Sequence, residues 1–314
     1  MHPHLKKGLK QRLIITVLAL MFFGAANAQT DEDAIMIPKK YFCGGVMYSN
    51  SSWKDYWEGT FKRDNQNIGT LSSNVYMAMV NYGITNNLNI LASVPYVTTH
   101  ASAGTLAGQK GFQDLTASLK WMPVETSLGK GVFSIYGIGT IGIPLSNYVA
   151  DFQPLSIGLH AKTAAIRLMV DYQINNFFAT GSGQYVQRSN ITIDRESYYT
   201  TSLIYSNQVH MPNAGMFNFR TGYRSERIIA EAVLSNMTTY GGFDIRKNDM
   251  PFPSNKMNST MAGVNFKYSF DSGIELTGGG NYTIAGRNVG QSTVFHGGIY
   301  YLFDTSSKKA AAKK

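Results

Sequence analysis

Polar and apolar side chains alternate one by one along many short stretches of the chain. From Asp114 to Met122, Leu115, Ala117, Leu119 and Trp121 share one face, and Asp114, Thr116, Ser118 and Lys120 share the other. From Ile166 to Asn175, Ile166, Leu168, Val170, Tyr172 and Ile174 oppose Arg167, Met169, Asp171 and Gln173. Phe217–Arg224 and Ala262–Phe270 repeat the pattern, with Asn218, Arg220 and Arg224 on the polar side of the first and Asn265, Lys267 and Ser269 on that of the second. A helix would scatter these charges around its circumference, whereas a period of two gathers them on one side of a strand. The pattern predicts strands over 42–49, 74–84, 88–98, 113–122, 132–143, 155–163, 165–175, 177–187, 198–206, 214–224, 227–236, 260–270, 273–283 and 293–303. That is fourteen, with twelve to sixteen compatible with the spacing.

The apolar faces need something to cover them. After residue 28 no stretch approaches the roughly 18–20 consecutive apolar residues of a transmembrane helix. Strands can cross hydrocarbon only in a closed barrel, where every backbone group is paired. The expected fold is therefore all-β, a transmembrane antiparallel up-and-down β-barrel. If the first strand rises from the periplasm, 50–73, 99–112, 144–154, 207–213, 237–259 and 284–292 fall outside, and Thr85–Asn87, the Thr163/Ala164 junction, Ser225–Glu226 and Asp271–Ser272 form inner turns. Long outer loops and short inner turns suit the class. Two connections break the rule: Asn175–Asn176 is short where a loop belongs, and 188–197 is long where a turn belongs. The strand count is open around them.

Aromatic placement agrees with a membrane. Tyr82, Trp121, Tyr223, Tyr268 and Tyr301 fall on the outward face near the inner strand ends, and Tyr96, Tyr172 and Tyr282 fall near the outer ends, as two interfacial girdles would. Outer-membrane lipid is then the partner of the apolar face, and the outer membrane of a Gram-negative bacterium the expected location.

Composition removes rival classes. Only 15% of residues are charged and 12% are aromatic, which excludes a disordered chain, and one cysteine excludes a disulfide scaffold. The net charge of +9 is concentrated at the ends. Lys6, Lys7, Lys10 and Arg12 precede the apolar run Leu13–Ala26 and the small-x-small site Ala26-Asn27-Ala28, which reads as a signal peptide over 1–28. Lys308, Lys309, Lys313 and Lys314 crowd a Lys/Ala-rich tail over 304–314, so the body is near neutral and no nucleic acid is implied. Between these ends lie a periplasmic or lumenal segment, 29–41, and the barrel, 42–303.

Chemistry is sparse. His100, His160, His210 and His296 have no metal-ligand spacing, Gly278–Gly280 and the glycines at 137, 139 and 142 precede no helix, and His160 with Ser156 makes a poor nucleophile–base pair. No catalytic, cofactor or metal residue is expected, and the chain is not read as an enzyme. The lumen is the informative surface: Lys120, Lys162, Arg167, Arg188, Arg220, Arg224 and Lys267 face inward with Asp114, Asp171, Glu231 and Glu275, seven cations to four anions. Such a surplus either neutralises within the lumen or favours anions and acid-headed amphipaths.

Two stretches carry resemblances. Asn81-Tyr82-Gly83-Ile84-Thr85-Asn86-Asn87-Leu88-Asn89-Ile90, Ser93-Val94-Pro95-Tyr96, Gly111-Phe112-Gln113-Asp114-Leu115-Thr116 and Leu119-Lys120-Trp121 together resemble the outer-membrane family named for a putative MetA pathway of phenol degradation, often labelled simply "transporter". The resemblance is strongest over 74–122 and implies fold and location, with no catalytic residue. The last strand, with His296, Gly298, Tyr301 and the final Phe303, resembles the signal read by the barrel-assembly machinery. The resulting expectation is a passive channel for small, hydrophobic or aromatic molecules. The alternative is a closed barrel serving as a structural subunit of an envelope complex, with Trp53, Tyr56, Trp57 and Phe61 of loop 50–73 anchoring a partner or packing down as a plug.

Overall fold

The computed structural model describes residues 30–306 except Asn248. The signal-peptide reading and most of the tail therefore lie outside the described residues.

Twelve long strands form one closed antiparallel barrel: β1 Tyr41–Trp53, β2 Leu71–Thr85, β3 Leu88–Ala101, β4 Asp114–Leu128, β5 Gly131–Pro144, β6 Thr163–Ile174, β7 Phe177–Arg188, β8 Ala214–Arg224, β9 Ile228–Thr239, β10 Asn258–Ser269, β11 Ile274–Arg287 and β12 Thr293–Asp304. Each pairs with its chain neighbours, and β1 with β12 closes the ring, Phe42 standing opposite Phe303 and Ser52 opposite Thr293. A thirteenth piece, Lys110–Phe112, pairs with the upper half of β3 just before β4 begins. No backbone edge of the barrel is left free, which is what hydrocarbon demands.

The alternation sorts the faces. Ile166 and Leu168 are 68% and 63% exposed, while Arg167 and Met169 between and beside them are 3% and 0% exposed. Large apolar side chains cover the outside all round, including Val46, Ile90, Leu119, Ile141, Phe217, Leu234, Val264, Ile284 and Ile299. Strands of 11–15 residues meet or exceed the roughly 9–11 needed to cross a bilayer with tilt. At the closure, Phe303 packs against Phe42 at 5.3 Å between ring centroids and against Tyr301 at 5.6 Å.

The fourteen-strand expectation is corrected to twelve. Residues 155–163 and 198–206 are not barrel strands of their own: the first, up to Lys162, lies in the connection from β5 to β6 and the second in the connection from β7 to β8. Part of their apolar surface is buried: Ile157 packs against Val97 of β3 and Tyr148, while Tyr199, Leu203 and Tyr205 stay exposed. Ala161, Ile191, Ile193, Tyr198, Val209 and Met211 share a small core with Leu159, Ile204 and Phe252. Removing the first segment reverses β6 and β7 and resolves both anomalies. Asn175–Asn176 becomes an inner turn, with Asn175 at φ 51°, and the long 189–213 connection falls outside. Thr163 and Ala164 begin β6 at its outer end rather than forming an inner turn, and Tyr172 lies at the inner end, donating to the Leu128 carbonyl at 2.8 Å.

All five short turns, 86–87, 129–130, 175–176, 225–227 and 270–273, now share one side of the barrel, and the six longer connections share the other. Three of the outer connections meet at Asn288, which is buried at φ 52°. Its Oδ1 accepts from the Gly59 and Ile245 amides at 2.7 and 3.1 Å, and its Nδ2 donates to Asp244 Oδ1 at 2.7 Å and the Lys256 carbonyl at 2.6 Å. Each buried group left unpaired costs about 1–3 kcal/mol, and alanine resists the left-handed conformation. Asn288→Ala is expected to free the 240–257 loop and speed tryptic cleavage after Arg246 and Lys247 by about tenfold or more. Asn288→Gly, which tolerates the backbone, should still show most of the effect.

Asp244 gives the same junction a pH dependence. Paired hydrogen bonds from Arg287, at 2.8 and 2.5 Å, hold its carboxyl below the usual carboxylate range against a smaller cost of burial, and Asn288 adds to the effect. A depressed acid stabilises above its ordinary value of about 3.9 and loses that contribution as pH falls through the lowered value. Pepsin nicking of 240–257 should therefore rise between about pH 4 and pH 2, with Asp244→Asn equally open at both ends.

Candidate functional site

The lumen is crossed by the chain's own N-terminal segment. Immediately before β1, residues 30–38 turn into the barrel, and two apolar contacts seat them. Ile37, with no exposed surface, joins Cys43, Tyr300 and Leu302 on β1 and β12. Ala34 and Met36 join Met122, Tyr136, Ile138 and Met169 on β4, β5 and β6. Gly83 allows the first of these, since a Cβ at that position would run into the carbonyls of Ile37 and Pro38. Lys40 donates to the Gly83 carbonyl at 2.7 Å.

Beyond the apolar stretch the segment carries Asp31, Glu32 and Asp33, and these meet the lumen cations. Lys120 Nζ, fully buried, donates to the Thr30 and Asp33 carbonyls at 2.9 and 2.5 Å and pairs with Asp33 Oδ1 at 3.1 Å. Glu32 bridges two strands, its Oε2 on Arg220 Nη2 at 2.9 Å and its Oε1 on Arg167 Nη2 at 3.4 Å. Asp31 lies 3.9 Å from the same Arg167 nitrogen. Thr30 caps the turn, its amide and hydroxyl donating to Asp33 Oδ2 at 2.7 and 2.9 Å. Tyr136 donates its hydroxyl to the Ala34 carbonyl at 3.1 Å.

The other charges of the lumen largely pair strand to strand. Arg220 also reaches Glu231 at 2.8 Å, and Arg224 reaches Asp171 at 3.0 Å, with its guanidinium 3.8 Å from the centre of the Phe178 ring. Lys267 and Glu275 are buried at 8% and 1% exposure. Asp114 accepts from the Tyr148 hydroxyl at 2.7 Å, where the 145–162 connection folds against β4. Arg188 sits near the outer end of β7 and donates to the Pro212 carbonyl at 3.3 Å. Lys162, expected from the sequence to face inward, does not. It is exposed and precedes β6, because the strand that was to carry it does not exist.

Two spaces flank the segment. A cavity of about 400 Å³ runs along the β1, β2 and β8–β12 walls, lined by Met47, Met77, Met79 and Met261 as well as by Arg220, Glu231 and His296. A second, of about 600 Å³, opens beside the 129–131 turn and is lined by Ala34, Met36, Glu125, Ser134, Tyr136 and Arg224. Methionine surfaces adapt to varied apolar shapes, so the first cavity combines a pliable apolar wall with a charged one.

Three further placements bear on chemistry. Cys43 is buried and unpaired. Ser156 donates to the Gly158 carbonyl, while His160 lies edge-on to Tyr148 at 4.8 Å. Among the described residues no group of His, Cys, Asp and Glu could hold a metal ion. In loop 50–73, Trp53 and Trp57 lie over Gly290 and Gly286, where any side chain would overlap their rings, and Phe61 is left 64% exposed.

The barrel matches the crystal structure of an outer membrane channel from Pseudomonas putida F1 with a TM-score of 0.70, at 15% identity, over 88% of this chain and 100% of that one. The translocator domain of the autotransporter NalP from Neisseria meningitidis matches at a TM-score of 0.43 and 11% identity, over 83% of this chain and 87% of that one. The KdgM porin in complex with disordered oligogalacturonate also matches at 0.43, with 8% identity, over 83% and 99%. No family model and no curated protein matches the chain. The first likeness, at full coverage of the other chain, defines the fold as that of an outer-membrane β-barrel.

Proposed function

We propose that the protein is a channel of the Gram-negative outer membrane that admits small solutes passively, past a lumen narrowed by residues 30–38. The observation that carries this reading is the cavity of about 400 Å³ left beside the inserted segment, with Met47, Met77 and Met79 of β1 and β2 on one wall and the Arg220–Glu231 pair among its other lining residues. Such a lining suits small amphipathic molecules, with an apolar or aromatic body and a polar end. The fold of the Pseudomonas channel is consistent with it.

A purely structural barrel that presents loop 50–73 to an envelope partner is the weaker reading, because Trp53 and Trp57 are engaged by this chain's own glycines. Purified protein in planar bilayers and liposome-swelling assays decides between them. Discrete conductance steps and uptake of small solutes support the channel. A barrel that is electrically silent and excludes every solute, including after residues 30–36 are removed, overturns it.

A further inference from the structure

We infer that Lys120, Arg167 and Arg220 form a binding site for small oligocarboxylates, and that Asp31, Glu32 and Asp33 are its tethered internal ligand. The strands alone leave the site unbalanced. Among the described residues, Lys120 finds a carboxylate within 4 Å only on Asp33, and Arg167 only on Asp31 and Glu32. Both cationic side chains are 4% exposed or less. Arg167 keeps a neutral bond to Gln184 at 2.7 Å, while its buried Nε has no partner. Arg220 retains Glu231 and has guanidinium capacity left for Glu32. Cations clustered in a narrow lumen without counter-charge are unfavourable, so when the segment withdraws the three favour an anion in its place.

The form of that anion follows from what it replaces. Two or three carboxylates, carried on one short run of backbone, span Lys120 on β4, Arg167 on β6 and Arg220 on β8. A guanidinium takes a carboxylate through two parallel donors and the ammonium takes one as a point charge. A monovalent inorganic anion satisfies one cation at a time, whereas a tricarboxylate satisfies the set. The segment can be displaced because it enters from the inner end and is held by contacts rather than by strand pairing. A short tether gives it an effective concentration in the millimolar range, so it competes with solutes at comparable levels. The inference rests on the channel reading for its biological use, but the site itself can be tested by binding.

The test uses citrate as the probe and measures binding to the detergent-solubilised full chain by calorimetry and thermal unfolding, at constant ionic strength against chloride. Asp31→Asn/Glu32→Gln/Asp33→Asn should bind citrate about tenfold or more tightly than the unaltered protein and be stabilised by it. Adding Lys120→Met and Arg167→Gln to that variant should abolish the response. No citrate response in the triple variant, an equal response in the unaltered protein, or a response that survives loss of Lys120 and Arg167 overturns the site. If the triple variant does not assemble, Glu32→Gln alone decides: stabilisation by citrate supports the inference and its absence overturns it. Citrate binding by a barrel that never conducts would leave the site standing and remove the channel.

Discussion

Deleting residues 30–36 is expected to widen the conducting path several-fold and to make it anion-selective. The deletion removes Asp31, Glu32 and Asp33 and the apolar stretch that seats them across the lumen. The two cavities of about 400 and 600 Å³, both lined by Ile35, would then join. Lys120 and Arg167 would face the merged space without a carboxylate, and a wall of one sign concentrates the opposite ion. Single-channel recording in a potassium chloride gradient reads both effects: larger steps, and a reversal potential moved toward that of chloride. Breaking buried pairs of this kind costs about 3–5 kcal/mol; water entering the opened lumen offsets part of it, so a lower unfolding temperature that recovers with added anion should accompany the change. Unchanged conductance and unchanged selectivity would show that the segment does not obstruct the path.

The barrel was legible in the sequence because its signal is local. One residue's side of the sheet fixes its neighbours' sides, so Arg167 and Leu168 could be assigned to opposite faces without knowledge of what each touches. The strand count was less legible. Alternation reports that one face is buried, not whether it meets lipid, lumen or another loop. Leu155, Ile157, Leu159 and Ala161 alternate as a strand would, yet Ile157 is buried with Val97 and Tyr148, and Ala161 with Ile191 and Met211. The turn at Asn175–Asn176 held the correction, being short on the side where loops are long. The inserted segment had a signal that strand patterning does not read: Asp31-Glu32-Asp33, then Ala34-Ile35-Met36-Ile37, stands just before β1. Three acids facing a lumen with an excess of three cations would have suggested the match, but which cation meets which acid depends on barrel closure.

Leu168→Arg and Gln184→Glu should have opposite outcomes although both add a charge at mid-strand. Leu168 is 63% exposed near the middle of β6, on the apolar outer face. An arginine there costs about 2–4 kcal/mol at the bilayer midplane, so the variant should assemble poorly into membranes and, once assembled, unfold at lower denaturant. Gln184, on the paired strand β7, faces the other way and accepts from Arg167 at 2.7 Å. Replacing its amide by a carboxylate of the same shape gives Arg167 a permanent partner, and buried cations gain most from such pairing. Assembly should be unaffected. The effect should appear in the lumen instead: Glu32 and the new carboxylate would compete for one guanidinium, weakening the hold on residues 30–33 and raising the open fraction in single-channel records. Heat-modifiable migration on gels reads assembly in both variants, and conductance reads the second. Equal damage from the two substitutions would mean that the faces of β6 and β7 are not divided between lipid and lumen, and the channel reading would lose its physical basis.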